Sequence, residues 1–330
     1  MKRFFLVIAV FLTAFACSEK DSFVTYDPVI SENQELLDWT KSQNSWIFHQ
    51  MKLNYLWSDQ LKDSLDYDYT LEPKLFFEKM KVAEDRFSYC VYNENYIGTK
   101  GKNLNETVSF DSVYVVNGLK AGYFVYDGFE TEADVTDIIL KFRAEGIDEL
   151  IIDLRYNHGG LVNTLIYLSS LIVPKAHLGS LFSRSEYNKR ISGILKNETG
   201  SEFEYRFFRK DQLVQSRNLN LQRVFILITG QSYSCSEQII NCLRPYMQVV
   251  TIGETTGGKD VGMRSLSSPK IKYTLYPITF RDYNADGNPV PVTGIVPDIH
   301  KENSRPALLG MVQEPMLAEA LRYITDEPHI

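Results

Sequence analysis

Residues 224–237 read VFILITGQSYSCSE, an apolar run followed directly by a serine-rich segment. The first five apolar residues predict a buried strand, and the polar run that follows places Ser234 at the start of a helix. A second apolar run, residues 249–252, leads into a glycine-rich sequence that carries Lys259, 25 residues after Ser234. This separation leaves room for one helix and one strand. Two parallel strands would therefore deliver a hydroxyl and an amine to the same edge of a sheet.

Ser234 and Lys259 together suggest nucleophilic catalysis, because a serine beside a lysine that can lose its proton is a nucleophile with a general base. Each residue alone has a simpler explanation. Ser234 and Glu237 fit a capping box, so that Ser234 would only cap a helix. Lys259 would be a solvated loop lysine, since an amine with a pKa of about 10.4 stays protonated near neutrality unless burial lowers that pKa. The pair predicts acyl transfer, and peptide-bond hydrolysis in particular.

A third polar segment, DLRYNHGG at residues 153–160, ends another predicted strand and turns on two glycines. Such a turn can aim backbone N–H groups at an oxyanion. A phosphate-binding turn is the alternative, but neither the dinucleotide pattern nor a P-loop is present. His158 is a weak candidate for the general base, because a loop histidine between asparagine and glycine is more often exposed and structural.

Strands and helices alternate through the rest of the chain, which predicts an α/β fold with a substantial parallel component. Strands are predicted at 120–126, 150–154, 178–183, 203–209, 223–229 and 248–253, and helices at 131–146, 161–173 and 236–243. Before them, a capping-box pattern at residues 31–34 and apolar residues at helical spacing predict a small helical subdomain over residues 31–90. The core is predicted to span residues 119–330.

The beginning of the chain has the pattern of a targeting segment. Lys2 and Arg3 precede an apolar run that ends in Ala-Phe-Ala-Cys17, which resembles a bacterial lipobox. We expect a signal peptide over residues 1–16, lipid on Cys17, and a tether over residues 17–30. The protein would then be exported and anchored to a membrane of a bacterial cell envelope, either the outer membrane or the cell surface. Cleavage by an ordinary signal peptidase is the alternative.

Composition narrows the remaining classes. The 330 residues carry a formal charge of −7 without a compensating Lys/Arg block, which argues against a nucleic-acid partner. Cys90, Cys235 and Cys242 lack metal-site spacing, so we expect three buried small residues and neither a metal nor a cofactor. Residues 282–287 open like a calcium loop, but Thr293 stands where that loop needs glutamate, and a surface turn is expected.

Three blocks and a closing segment carry a resemblance to a known family: DLRYNHGG (153–160), SYSCSE (232–237), GETTGGK (253–259) and GIVPDI (294–299). In this order they resemble the signature blocks of the S41 peptidases, the C-terminal processing or tail-specific proteases related to the tricorn core. The resemblance implies a crotonase/ClpP-like α/β core, with the helices of residues 31–90 as the N-terminal subdomain. It also implies a serine endopeptidase that forms an acyl-enzyme on a protein or peptide substrate, and it implies nothing about oligomeric state.

The resemblance assigns roles to four residues of this chain. It implies that Ser234 is the nucleophile, that Lys259 is the general base, and that the backbone amides of Gly160 and Cys235 form the oxyanion hole. One position departs from the pattern. Met263 stands where many members carry a glutamine or glutamate that orients the lysine, and a thioether is a poor hydrogen-bonding partner. A dyad, or a third group from elsewhere in the chain, is therefore expected.

A second departure concerns substrate selection. Residues 91–118 form a linker too short for the PDZ domain with which such proteases hold substrate C-termini. Together with Met263, the short linker leaves an alternative open: a catalytically retired surface lipoprotein that binds peptides or apolar ligands.

Overall fold

The computed structural model describes residues 28–93, 107–199, 203–208, 212–304 and 308–326. The chain divides into two compact units, Met1–Trp39 and Thr40–Ile330. Of the first unit, the structure describes only the beginning of helix α1 (Pro28–Asn54). The predicted signal peptide, the lipidation site Cys17 and most of the tether lie outside the described residues.

Two helices open the second unit. The later part of α1 buries Ile47 and Met51, and the buried Tyr55 directly after its end completes the predicted apolar stripe. Helix α2 (Pro73–Met80) follows. The sequence placed the start of the first helix at its capping-box pattern, but α1 begins at Pro28. Proline suits a first helical turn because its backbone torsion is already helical and its missing N–H is not needed there. A two-stranded antiparallel sheet closes this subdomain, formed by β1 (Tyr89–Tyr92) and β10 (Tyr273–Tyr276).

A six-stranded sheet forms the core. Its strands are β2 (Val108–Val116), β3 (Leu119–Tyr126), β4 (Glu149–Asp153), β7 (Arg223–Ile228), β8 (Gln248–Gly253) and β12 (Ile299–His300). Their order across the sheet is β12-β8-β7-β4-β3-β2. All neighbours are parallel except β2, which runs antiparallel to β3. The carboxyl ends of β4, β7 and β8 therefore lie side by side, as the sequence predicted for the last two.

Both faces of the central sheet are covered, because alternate strand residues point to opposite sides. On one side, Phe124, Ile152 and Ile226 belong to a large apolar cluster with four helices. These are α3 (Glu132–Glu145), α4 (Val162–Ile172), α6 (Gln212–Arg217) and α7 (Cys235–Leu243). On the other side, the sheet packs against α8 (Pro315–Asp326). No helix in the described part of the chain is both long and apolar enough to cross a membrane.

A smaller antiparallel sheet, ordered β6-β5-β11-β9, completes the fold. Its strands are β5 (Leu181–Tyr187), β6 (Phe203–Arg206), β9 (Val261–Met263) and β11 (Ile278–Tyr283). Helices α5 (Lys189–Thr199) and α6 (Gln212–Arg217) lie between β5 and β7 in the chain. Strand β9 begins two residues after Lys259, so this sheet reaches the site predicted from the sequence.

The segment predicted as a linker, residues 91–118, is partly built into sheets. Its first two residues end β1, and β2 pairs with β3 along nearly its whole length. Strand β2 is an edge strand whose residues are mostly half-buried, and it lacks the continuous apolar run by which β4, β7 and β8 were predicted.

Candidate active site

The turn between β7 and α7 holds Ser234 in an unusual backbone conformation. Its φ is +56° and its ψ is −114°, where a residue with a side chain is strained. Cys235 begins α7 directly afterwards. Strain of this kind persists only where surrounding contacts impose it, and it often marks a functional position.

The two serines that flank Ser234 have structural partners. The fully buried Ser232 donates its hydroxyl to the Leu154 carbonyl at 2.8 Å, and the fully buried Ser236 donates to the Asn157 carbonyl at 2.9 Å. Both bonds attach the serine turn to the end of β4. Ser234, in contrast, is half-buried and lines a cavity.

The glycine turn after β4 approaches the serine turn closely. The Asn157 side chain accepts from the Gly159 N–H at 2.8 Å, and the Asn157 carbonyl accepts from the Tyr233 N–H at 3.2 Å. Gly159 has φ +100°, and a Cβ there would lie 2.8 Å from Ser234 Cβ and 3.1 Å from the Cys235 nitrogen. Only glycine therefore allows this approach.

The two amides assigned to the oxyanion hole have unused donors. Neither the Gly160 N–H nor the Cys235 N–H donates to an acceptor in the described part of the chain. The two residues are in contact, since the Cys235 thiol donates to the Gly160 carbonyl at 3.3 Å. Burial raises the pKa of that thiol to about 12, so it stays neutral. The two free N–H groups can donate hydrogen bonds to an oxygen that develops negative charge.

Lys259 lies in the loop after β8. Burial lowers the pKa of its ammonium below the ordinary 10.5, with Cys235 and Glu237 opposing the shift. The Phe87 ring lies 5.5 Å from its Nζ, and the neighbouring Arg86 donates to the Gly258 carbonyl at 2.5 Å. Because Phe87 and Arg86 belong to the N-terminal subdomain, that subdomain helps to place the lysine loop.

The Glu237 carboxylate joins the serine turn to the lysine loop. Its Oε2 accepts from the N–H groups of Ser234 at 3.1 Å and Lys259 at 2.8 Å. Its Oε1 accepts from the Gly258 N–H at 2.7 Å and the Thr256 hydroxyl at 2.5 Å. Glu237 is fully buried, and this burial raises its pKa even though the four hydrogen bonds favour the anion. The sequence identified Glu237 only as part of a helix cap.

Further residues of the signature blocks have structural roles. Arg155, fully buried, pairs with Asp153 at 2.6 Å and with Glu314 of the segment before α8 at 2.8 Å. Asp298, in the closing segment, accepts from the Thr251 N–H at 2.8 Å and from its hydroxyl at 2.7 Å. These contacts fix the ends of β4 and β8, from which the glycine turn and the lysine loop extend.

One cavity of about 230 Å³ brings the predicted residues together. Ser234, Lys259, Gly160 and Cys235 all line it, and so does Met263, which occupies the position expected for an orienting side chain. His158 is an exposed residue at the same cavity, and its ring centroid lies 6.0 Å from that of Tyr233.

The three cysteines are buried and free, as predicted. The calcium-like residues form the turn that ends β11, where the Asn284 side chain accepts from the N–H groups of Asp286 and Asn288. No cluster of three or more metal-ligating side chains occurs in the described ranges. Asp282, the first residue of the calcium-like pattern, instead lines the cavity of Ser234.

Two family models match this chain. The family model of peptidase family S41 matches residues 120–301, and that of the peptidase S41 N-terminal domain matches residues 42–89. The chain belongs to peptidase family S41. The predicted resemblance is thereby confirmed.

Curated relatives of this S41 chain include proteins named CtpA-like serine protease. One from Staphylococcus aureus is 24% identical over 203 residues, which are 60% of this chain and 36% of the relative. One from Staphylococcus epidermidis is 24% identical over 210 residues, 61% of this chain and 38% of the relative. The chain thus spans little more than a third of the length of these relatives.

Solved structures share the fold. A protein from Bacteroides fragilis assigned to the S41 proteases has a TM-score of 0.70 at 21% identity and covers 85% of this chain and 97% of its own. A protein from Parabacteroides merdae described as a peptidase has a TM-score of 0.53 at 18% identity and covers 86% and 96%. The predicted α/β fold class with an N-terminal helical region is confirmed. The roles assigned to Ser234, Lys259, Gly160 and Cys235 stay predictions.

Proposed function

We propose that this S41 chain is a serine endopeptidase that hydrolyses peptide bonds with Ser234 as nucleophile and Lys259 as general base. The observation that carries the proposal is the single cavity lined by the serine, the lysine and the two residues with free backbone amides. Glu237 supports it, because one carboxylate holds the backbone of both reactive residues.

Each group has a step in the proposed mechanism. Neutral Lys259 takes the Ser234 hydroxyl proton as Oγ attacks the peptide carbonyl carbon. The resulting oxyanion accepts hydrogen bonds from the N–H groups of Gly160 and Cys235. The Lys259 ammonium then protonates the leaving amine. The Lys259 side chain, neutral again, activates the water that hydrolyses the acyl-enzyme. The lowered pKa of Lys259 favours the neutral form that the first step requires.

The proposal is tested with unfolded casein as substrate. Ser234→Ala and Lys259→Ala should each reduce hydrolysis by about 1000-fold or more while leaving the circular dichroism spectrum unchanged. The exposed residues Ser216 and Lys272 supply matched controls as Ser216→Ala and Lys272→Ala, which should cleave at the wild-type rate. Wild-type hydrolysis by either catalytic-site variant would show that the assignment is wrong.

A retired site that only binds peptides or apolar ligands is the second candidate, and Met263 in the cavity favours it. Labelling separates the two functions. A fluorophosphonate probe should modify Ser234 in an enzyme, with the modified residue located by mass spectrometry. An unmodified Ser234 in the folded protein would favour the binding function.

We further propose that the protein is exported and held to a cell-envelope membrane by lipid on Cys17. The support is the lipobox-like sequence; a protein of similar fold from Streptococcus agalactiae is itself described as a lipoprotein. Radiolabelled palmitate should be incorporated into the wild-type chain in bacterial cells. Cys17→Ser should abolish incorporation and release the protein from the membrane fraction; membrane retention without label would contradict lipid anchoring.

A further inference from the structure

A carboxylate that the proposed mechanism does not use lies at the candidate active site. Asp282 of β11 lines the cavity that contains Ser234, and it is the only acidic residue among the described residues that do so. Phe280 lines the same cavity, as expected from residues two positions apart on a strand. The side chain is therefore presented to the site by a sheet, not by a mobile tip of a loop.

Asp282 is buried, and no cation in the described part of the chain forms an ion pair with it. It is 7% exposed, and one carboxylate oxygen accepts the hydroxyl of Ser185 on the neighbouring strand. The other carboxylate oxygen accepts no hydrogen bond from the described residues, and it is not among their fully inaccessible polar atoms. Lys259 lines the same cavity but makes no ion pair with Asp282. A buried carboxylate is costly unless a partner satisfies it, which suggests that the partner comes with the substrate.

The rest of the cavity suits a long side chain. The apolar walls of the cavity are formed by Val162 and Leu165 of α4, Val261 and Met263 of β9, and Phe280. Its volume of about 230 Å³ is below the range of pockets for whole small molecules, about 300–1,000 Å³, and fits a single side chain. Lysine and arginine bury an apolar stem along such walls and place their charge at the tip.

We propose that Asp282 determines the specificity of this site by accepting the ammonium or guanidinium group of a lysine or arginine side chain on the acyl side of the scissile bond. The proposal rests on the proposed peptidase function. An apolar side chain in the cavity would leave the carboxylate desolvated and unpaired, and an acidic one would be repelled. Substrates would therefore be cleaved after basic residues.

The charge state of Asp282 is consistent with this role. Burial raises the pKa of its carboxyl to about 6, with the Ser185 hydrogen bond opposing the shift. The group is therefore mostly ionised at neutral pH. Ser185 can donate equally well to the carbonyl oxygen of an asparagine side chain, so Asp282→Asn removes the charge with little change in shape.

The experiment compares two peptides that differ only before the scissile bond, with lysine in one and its uncharged analogue norleucine in the other. Full-length protein in detergent should cleave the lysine peptide with a kcat/KM about 10- to 100-fold higher, the effect of one hydrogen-bonded charge pair. Asp282→Asn should reduce the ratio to within about 3-fold by slowing cleavage of the lysine peptide alone. Mass spectrometry confirms the bond cleaved.

Glu186→Gln is the matched control. Glu186 is an exposed residue of β5, beside Ser185, and it does not line the cavity. Its variant loses the same unit of negative charge from the same sheet and should keep the wild-type ratio. Fluorophosphonate labelling of Ser234 at the wild-type rate in Asp282→Asn would show that the nucleophile is intact.

Four results would overturn the proposal. A wild-type enzyme that cleaves both peptides equally well, or an Asp282→Asn enzyme with an unchanged ratio, would refute the specificity while leaving the peptidase function standing. Equal losses on both peptides would assign Asp282 a structural role. If the wild-type protein neither cleaves a peptide nor accepts the fluorophosphonate, the peptidase function fails, and the specificity fails with it.

Discussion

Replacing Glu237 by glutamine tests whether one carboxylate holds the reactive residues in place. Glu237 is fully buried, and its two oxygens accept from Ser234, Thr256, Gly258 and Lys259. A glutamine side chain keeps one acceptor oxygen and puts an NH₂ donor in place of the other. Each of the two oxygen positions accepts from at least one backbone N–H, so neither orientation of the glutamine amide satisfies all four donors.

The loss of stability in Glu237→Gln is set by the orientation of the glutamine amide that leaves fewer donors unsatisfied. If the NH₂ group occupies the Oε1 position, the Thr256 hydroxyl can turn to accept, and only the Gly258 N–H loses its acceptor. A hydrogen bond to a charged group contributes about 1.5–3 kcal/mol. Because burial raises the pKa of Glu237, removing its charge also recovers part of the desolvation cost. We therefore expect the free energy of unfolding to fall by about 2 kcal/mol.

Activity should fall as well, because the Ser234 and Lys259 backbones lose their charged acceptor. We expect kcat/KM for peptide hydrolysis to decrease by about 10- to 100-fold. Urea unfolding followed by circular dichroism measures the stability, and fluorophosphonate labelling measures the reactivity of Ser234. The control is Glu145→Gln, at the exposed end of α3, which should change stability by less than about 0.5 kcal/mol. If Glu237→Gln matches the wild type in both stability and labelling rate, the carboxylate does not position the site.

Two further predictions concern the base and the glycine turn. Burial lowers the pKa of Lys259, so kcat/KM should rise with pH through an apparent pKa below 10.5 as the ammonium loses its proton; a flat profile from pH 5 to 9 would argue against a lysine base. Gly159→Ala should reduce the labelling rate of Ser234 by about 100-fold or more, since the added Cβ meets Ser234 Cβ at 2.8 Å in a backbone conformation unfavourable for alanine. Gly193→Ala is the control: Gly193 lies in α5, a Cβ added there meets no atom within 4 Å, and this variant should label at the wild-type rate. Equally slow labelling of both variants would contradict the close approach of Gly159 to Ser234.

Much of the fold followed from local patterns in the sequence. The helix predicted over residues 131–146 is α3. Thr131 caps its start by accepting from the Asp134 N–H, and Gly146 caps its end in a left-handed conformation. The central strands β4, β7 and β8 were found because strands buried on both faces read as continuous apolar runs. Strand β11 was missed, and its last two residues, Asp282 and Tyr283, were attributed to a calcium-like turn.

The candidate site could be predicted only in part, because only some of its residues follow a strand that the sequence reveals. Ser234, Lys259 and the glycine turn each follow a recognisable strand, so the sequence could place them at one edge of a sheet. Phe87 and Asp282 have no such signal. Their approach to the site depends on the packing of the N-terminal subdomain and on the pairing of β11 with β5 and β9.

The sequence alone predicted most strands of the central sheet, the helices that cover one of its faces, the family, and a pairing of Ser234 with Lys259 that stays a prediction. These depend on apolar periodicity and on short motifs, which act between residues close together in the chain. The tertiary structure decided how the reactive groups are held and what else faces them. Glu237 gathers donors from two loops, and Asp282 is turned into the cavity by a separate sheet. Such contacts join residues far apart in the chain, so packing alone brings them together.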